Sequence, residues 1–123
     1  MIVGLGVDIV ELGRIRDVLE RHGERFLQRI LTVDERRYCA LHRDQVPHVA
    51  ARFAAKEAAL KALGTGWSGG IHWTDVEVVR EPSGKPTLSL HGEALKRQGT
   101  EARWHLSLSH DRGNAVAVAV LER

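Results

Sequence analysis

The sequence predicts an α+β domain in which helices pack on an antiparallel sheet. Three observations carry that expectation. Between Leu12 and Gly64 the apolar residues recur at helical spacing. From Thr74 onward they form short alternating runs separated by turn-forming Pro, Ser, Gly, Asp and Asn. A further alternating run, Ile2 to Val10, opens the chain. With 43% hydrophobic content, the 123 residues suffice for one compact domain with a real core, spanning 1–123.

The strongest helix signal is Arg52 to Gly64. It is rich in Ala, Leu, Lys and Glu, it contains no Pro or β-branched residue, and Gly64 stands where a helix ends in a left-handed turn. On a helical wheel Phe53 and Leu60 share one side, and Ala54, Ala55, Ala58, Ala59 and Ala62 another, smooth enough to let a neighbouring backbone come close. Glu57 lies about 40° from Phe53 and so borders the apolar face, with Lys61 one turn on. A carboxylate at the edge of a core beside a lysine fits a functional site. On the helix alone the plainer reading is an i, i+4 surface pair worth about 0.2–0.5 kcal/mol.

Around that helix the chain reads in order. In Ile2 to Val10, Val3, Leu5, Val7 and Ile9 share one face, and Gly4, Gly6 and Asp8 the other. Two glycines leave space beside the Asp8 carboxylate for a ligand or for a close backbone. Leu12 to His22 is an amphipathic helix with Leu12, Ile15, Val18 and Leu19 inward and Gly23 as its stop. Its polar face carries Arg14, Arg16 and Arg21, with Arg25 and Arg29 following. The first 51 residues hold no lysine, so every base there is an arginine fork suited to carboxylate or phosphate. A solvated face with pairs to Asp17, Glu20 and Glu24 is the plain alternative. Thr32 to Glu35 is a capping box opening a helix through about His42, and Pro47 suits the first turn of the next.

After Gly64, Thr65 to Gly70 is a flexible loop whose glycines let backbone N–H groups approach a phosphate. Thr74 to Arg80 and Pro86 to Leu90 flank the turn Glu81 to Lys85, and Gly92 to Gln98 is a short helix. Trp104 to His110 and Ala115 to Leu121 form a hairpin across Asp111 to Asn114. Its first strand alternates Trp104, Leu106 and Leu108 with His105, Ser107 and Ser109; its second is apolar on both faces, which makes it central or part of a subunit interface. His110, at a strand end, reads as structural unless a partner charge meets it.

Composition excludes several classes. No run of eighteen apolar residues supports a transmembrane helix, and the N-terminus lacks the basic region of a signal peptide. A net charge of +2, scattered bases and 5% aromatics argue against nucleic-acid binding. The one cysteine, Cys39, closes no internal disulfide and has no nucleophile context; it reads as a small buried residue in a reducing, cytoplasmic setting.

Three blocks combine these features: Gly6-Val7-Asp8-Ile9-Val10-Glu11, Arg52-Phe53-Ala54-Ala55-Lys56-Glu57-Ala58 with Lys61 and Gly64, and Leu106-Ser107-Leu108-Ser109-His110-Asp111. Their order and spacing, over essentially the whole chain, resemble the holo-acyl-carrier-protein synthases, the small bacterial 4′-phosphopantetheinyl transferases. The resemblance implies transfer of phosphopantetheine from coenzyme A to a serine of an apo-acyl carrier protein, with release of adenosine 3′,5′-bisphosphate. It implies a homotrimer with active sites between neighbouring subunits. Asp8 and Glu57 would hold Mg²⁺ against the coenzyme A pyrophosphate, and Lys61 would act with them on the same phosphates. Arg52 and His110, with Ser109, would reach the adenosine end; Gly64 and the Gly84-Lys85-Pro86 turn would border the coenzyme. Arg14, Arg21 and Arg25 would meet the acidic carrier. Glu57 or a metal-bound water would accept the serine proton. A non-catalytic module binding coenzyme A or the carrier would keep the arginine face without needing Asp8 and Glu57 together.

Overall fold

The structure, a computed structural model, describes residues 1–123. In chain order the elements are β1 (Ile2–Glu11), α1 (Leu12–His22), α2 (Glu24–Ile30), α3 (Val33–Ala40) and α4 (Val46–Leu63). A 3-10 turn (Trp73–Asp75) follows, then β2 (Val76–Arg80), β3 (Pro86–Leu90), α5 (Gly92–Gln98), β4 (Arg103–Asp111) and β5 (Asn114–Glu122). This is α+β, with five helices and two antiparallel sheets: a three-stranded one in the order β1-β5-β4, and the separate β2-β3 hairpin.

The long helix α4 is the spine. Pro47 sits in its first turn and Gly64 ends it with φ +77°, donating its N–H to the carbonyls of Leu60 and Lys61. It begins six residues before Arg52, because Val46, Val49 and Ala50 extend its buried side. The sheet lies against its alanine side. A Cβ placed on Gly4 would come within 1.9 Å of the Ala62 carbonyl oxygen, and one on Gly6 within 1.9 Å of that of Ala58. The space beside Asp8 is thus taken by helix backbone at Gly4 and Gly6, and the glycines serve close packing. The strand runs antiparallel to the helix, and Asp8 follows Gly6 on the same strand face.

β5 is central. Ala115, Ala117, Ala119 and Leu121 point inward and are buried, while Val116, Val118 and Val120 are half-buried on the outer face. The apolar alternation of β1 also faces outward: Leu5, Val7 and Ile9 are 66%, 55% and 63% exposed and pair across with Val120, Val118 and Val116. One apolar sheet face is therefore uncovered in the single chain.

Local signals place most boundaries within a residue or two. The Thr32 capping box forms in full, although α3 ends at Ala40 rather than His42. Thr74 does not open a strand. The 3-10 turn is closed by Asp75 accepting from the His72 N–H at 2.9 Å, and β2 begins at Val76. Between β4 and β5, Arg112 and Gly113 take φ +46° and +89°, the left-handed pair that a two-residue hairpin turn requires. No helix is long and apolar enough to cross a membrane.

The core holds one ion pair. Lys56 is fully buried, its Nζ 2.8 Å from Glu35 Oε1 and donating also to the carbonyls of Trp73 and Val76. Glu35 accepts in addition from the backbone N–H of Thr32 and, at 2.8 Å, of Val78. Every charge-bearing atom is satisfied, as a buried pair requires, and the network ties α3 and β2 to α4.

Candidate active site

Asp8 and Lys61 meet where β1 crosses the C-terminal half of α4. Lys61 Nζ donates to Asp8 Oδ1 at 3.2 Å and to the Val7 carbonyl at 2.9 Å. It does not pair with Glu57. The i, i+4 surface pair allowed by helical spacing is absent, because the lysine is drawn across to the strand. Glu57 instead accepts at Oε1 from the indole Nε1–H of Trp67, at 3.2 Å. Each carboxylate thus has one oxygen tied, while Asp8 Oδ2 and Glu57 Oε2 accept no hydrogen bond from the protein. Two hard oxygen donors on adjoining elements suit a divalent cation that takes its remaining ligands from substrate oxygens and water. No group of three His, Cys, Asp or Glu residues forms a closed metal cage.

A second cluster gathers around Tyr38. The Arg52 guanidinium lies over one part of its ring at 4.3 Å and that of Arg80 at 4.6 Å, both within cation–π range. Arg52 is buried, donates from Nη1 to the His48 carbonyl at 3.2 Å, and keeps an unpartnered Nε. His48 stacks on His42 with ring centroids 3.5 Å apart and meets His110 edge-on at 5.9 Å. Burial first, then the positive charge of His42, Arg52, His110 and Arg80, holds the His48 pKa down at about 4. The two guanidiniums in this cluster make a field that favours an anion. Arg80 also donates to the Gly84 carbonyl at 2.6 Å, which links the exposed Gly84-Lys85 turn, continued by half-buried Pro86, to the same cluster.

The structure thus brings the proposed residues into two groups. Asp8 and Lys61 form one, with Glu57 one turn before Lys61 on α4 but turned to Trp67; Arg52, His110 and the Gly84 turn form the other, with Ser109 exposed beside His110 on β4. Gly64 spends its N–H on the end of α4. Arg14, Arg21 and Arg25 are exposed on α1 and α2, and neither they nor Arg29 pairs with any carboxylate; Arg16 alone of α1 does, with Asp44 at 3.1 Å. The pairs to Asp17 and Glu20 do not form, and Glu24 lies 3.6 Å from Arg36. Sequence reasoning missed Trp67, Tyr38, His42, His48 and Arg80. Arg80 and His110 join the Tyr38 cluster from far along the chain, while the His42–His48 contact spans the break before α4 and Trp67 reaches Glu57 back from a loop. Cys39 is buried, and burial chiefly raises its thiol pKa to about 11, so it stays protonated and inert.

None of the chain's cavities is lined by Asp8, Glu57 or Lys61. The largest, about 610 Å³, lies between β3, α5 and β4 and includes Lys85 and His105. One of about 270 Å³ opens beside Tyr38, Arg52 and Arg80.

Solved structures share this fold. The family model described as the 4′-phosphopantetheinyl transferase superfamily matches residues 4–120. The holo-acyl-carrier-protein synthase of Koribacter versatilis is 53% identical over 124 residues, covering 99% of both chains. The crystal structure of the synthase from Neisseria meningitidis superposes with a TM-score of 0.88 at 37% identity, covering 100% of each chain. That from Bacillus anthracis, solved in complex with CoA (3′,5′-ADP), gives 0.82 at 42% identity over 98% of this chain and 96% of the other. The chain belongs to the 4′-phosphopantetheinyl transferase superfamily, among its holo-acyl-carrier-protein synthases.

Proposed function

We propose that this enzyme transfers the 4′-phosphopantetheine group of coenzyme A to a serine hydroxyl of an apo-acyl carrier protein, giving the holo-carrier used in fatty acid biosynthesis. The observation that carries the reading is the contact of Lys61 with Asp8, one helical turn from Glu57 on α4. Two glycines force β1 onto α4, and each carboxylate is left with one free oxygen.

The serine Oγ attacks the phosphorus that bears the pantetheine arm. A new P–O bond forms, and the bond to the adenosine 3′,5′-bisphosphate leaving group breaks. Such a transfer needs positioning and charge neutralisation more than covalent help. Asp8 and Glu57 would hold Mg²⁺, which when bound supplies neutralisation of the pyrophosphate. Lys61 has three N–H donors, of which Asp8 and Val7 occupy two; the third is free for a phosphate oxygen. Glu57, or a water it orients, takes the serine proton. The Tyr38 cluster, through Arg52 and His110 with Ser109 beside them, would receive the adenosine end. The Gly84-Lys85-Pro86 turn would border it, and Gly64 would leave the end of α4 bare where the coenzyme passes. Arg14, Arg21 and Arg25, unpaired and exposed, would face the acidic carrier.

The reading includes a homotrimer. An uncovered apolar sheet face of Leu5, Val7, Ile9, Val116, Val118 and Val120 is covered most simply by copies of itself. A cleft between copies would also supply the walls that the single chain lacks around Asp8 and Glu57. The setting would be cytoplasmic, in keeping with one buried, protonated cysteine.

The test is to incubate the enzyme with coenzyme A, Mg²⁺ and an apo-carrier and weigh the carrier. A mass gain equal to phosphopantetheine supports the reading. Binding of either substrate with no mass gain overturns it and leaves a non-catalytic module. Sedimentation at micromolar concentration should give a trimer, and a monomer would remove the shared cleft.

A further inference from the structure

The loop after α4 folds back on the helix, and its one large side chain ends on Glu57. Gly66, Gly69 and Gly70 take φ +60°, +69° and +85°, which turns the chain. Trp67 then lies half-buried against Trp73, ring centroids 3.9 Å apart and planes tilted by 31°. Trp73 stacks in turn on Phe53 at 4.9 Å, and its carbonyl accepts from the buried Lys56. The indole is thus clamped by an aromatic stack that is itself fixed to the core. Its Nε1–H reaches Glu57 Oε1 across ten positions of sequence.

We propose that Trp67 is a positioning residue for Glu57: its indole N–H holds one carboxylate oxygen so that the other is presented to the divalent cation beside Asp8. The inference rests on the reading of Asp8 and Glu57 as Mg²⁺ ligands. Its physical content lies in the choice of donor. An indole N–H donates one hydrogen bond, accepts none and carries no charge, so it fixes the carboxylate without cancelling the negative charge a hard cation needs. A lysine already stands on Asp8, and a second on Glu57 would weaken the site electrostatically. Groups hydrogen-bonded to a metal's ligands orient them, and their loss typically lowers metal affinity about 10–100-fold. The opposing view is that the contact merely satisfies a half-buried indole, as tryptophans generally do.

Two variants separate these. Trp67→Phe keeps a ring to stack on Trp73 and removes the donor. Trp67→His places Nε2 where the indole has Nε1, keeping a donor while losing the benzo ring that does most of the stacking. At about pH 8 that imidazole is neutral. Mg²⁺ is titrated calorimetrically into each protein with coenzyme A and no carrier; transfer is assayed against Mg²⁺, and unfolding is followed by heat. The Phe variant should bind Mg²⁺ about tenfold more weakly and need correspondingly more for half-activation. Its KM for coenzyme A and its Tm should stay near those of the native enzyme. The His variant should recover most of the Mg²⁺ affinity at a lower Tm. Native Mg²⁺ affinity in the Phe variant, or a His variant weaker than the Phe variant, overturns the proposal. If Glu57→Gln loses the Mg²⁺ response while Trp67→Phe keeps it, this inference alone fails. If the native enzyme is indifferent to Mg²⁺, the ligand assignment fails with it.

Discussion

Lys56 and Lys61 stand on the same helix, about 140° apart around its axis, and meet opposite fates. Lys56 is sealed in, its side chain 0% exposed, with Glu35 and two carbonyls consuming all three N–H groups. Burial presses its pKa below the usual lysine value, and the Glu35 carboxylate opposes that shift. Lys61 is 54% exposed, leans on Asp8, and keeps one N–H to spare. The difference teaches that one short motif supplies both scaffold and chemistry. The inward lysine locks α3 and β2 to the helix; the outward one is left able to bind.

The largest expected effect comes from breaking the inner pair. Lys56→Met leaves the Glu35 carboxylate buried without its cation, a loss of about 3–5 kcal/mol, to be read as a lower urea midpoint. A cost comparable to that of Lys61→Met would mean the two environments do not differ as described.

His48, on the same helix, lies between these extremes and sharpens the contrast through pH. Its pKa, lowered from 6.5 to about 4, means that between those values the unfolded chain binds a proton the folded one refuses. Its contribution is therefore complete above about pH 6.5 and is lost as pH falls toward 4. His48→Asn should flatten that acid limb in unfolding curves recorded across the window. An unchanged limb would show that neither burial nor the cationic surroundings of Tyr38 hold its pKa down.

The smallest stability effect belongs to Lys61→Met. An exposed pair contributes well under about 1 kcal/mol, yet transfer should fall severely, with Tm and turnover measured on the same preparation. A variant that loses both together would make Lys61 a second structural lysine.

Much of the fold was legible because its signals are local. The Thr32–Glu35 capping box, the Gly64 stop, Pro47 in a first turn and the two hairpin turns each need only a few neighbouring residues. Alternation in β1 separated its two faces but did not say which packs inward. That depends on the alanine face of α4 receiving Gly4 and Gly6. Lys56 could be placed on the helix but not paired, since Glu35 is 21 residues away and the Val76 carbonyl belongs to another sheet. In the site, helical spacing suggested a Glu57–Lys61 pair that does not form, because Asp8, 53 residues from Lys61, competes for the lysine. The roles of Asp8 and Glu57 came from the resemblance of three blocks. The Trp67 contact came from neither, since an indole reaching back from a loop leaves no periodic trace.

The central claim is that Asp8 and Glu57 act on one cation. The most direct measurement weighs an apo-carrier over time with the native enzyme, Asp8→Asn, Glu57→Gln and the double variant, each first shown to unfold at the native temperature. Each single change keeps shape and hydrogen-bonding capacity while removing a hard anionic ligand, so each should slow transfer by orders of magnitude, only partly restored by added Mg²⁺. The double variant should lose far less than the product of the two single losses, because the groups act as a unit. Near-native transfer by Glu57→Gln, or two losses that simply multiply, would contradict the account.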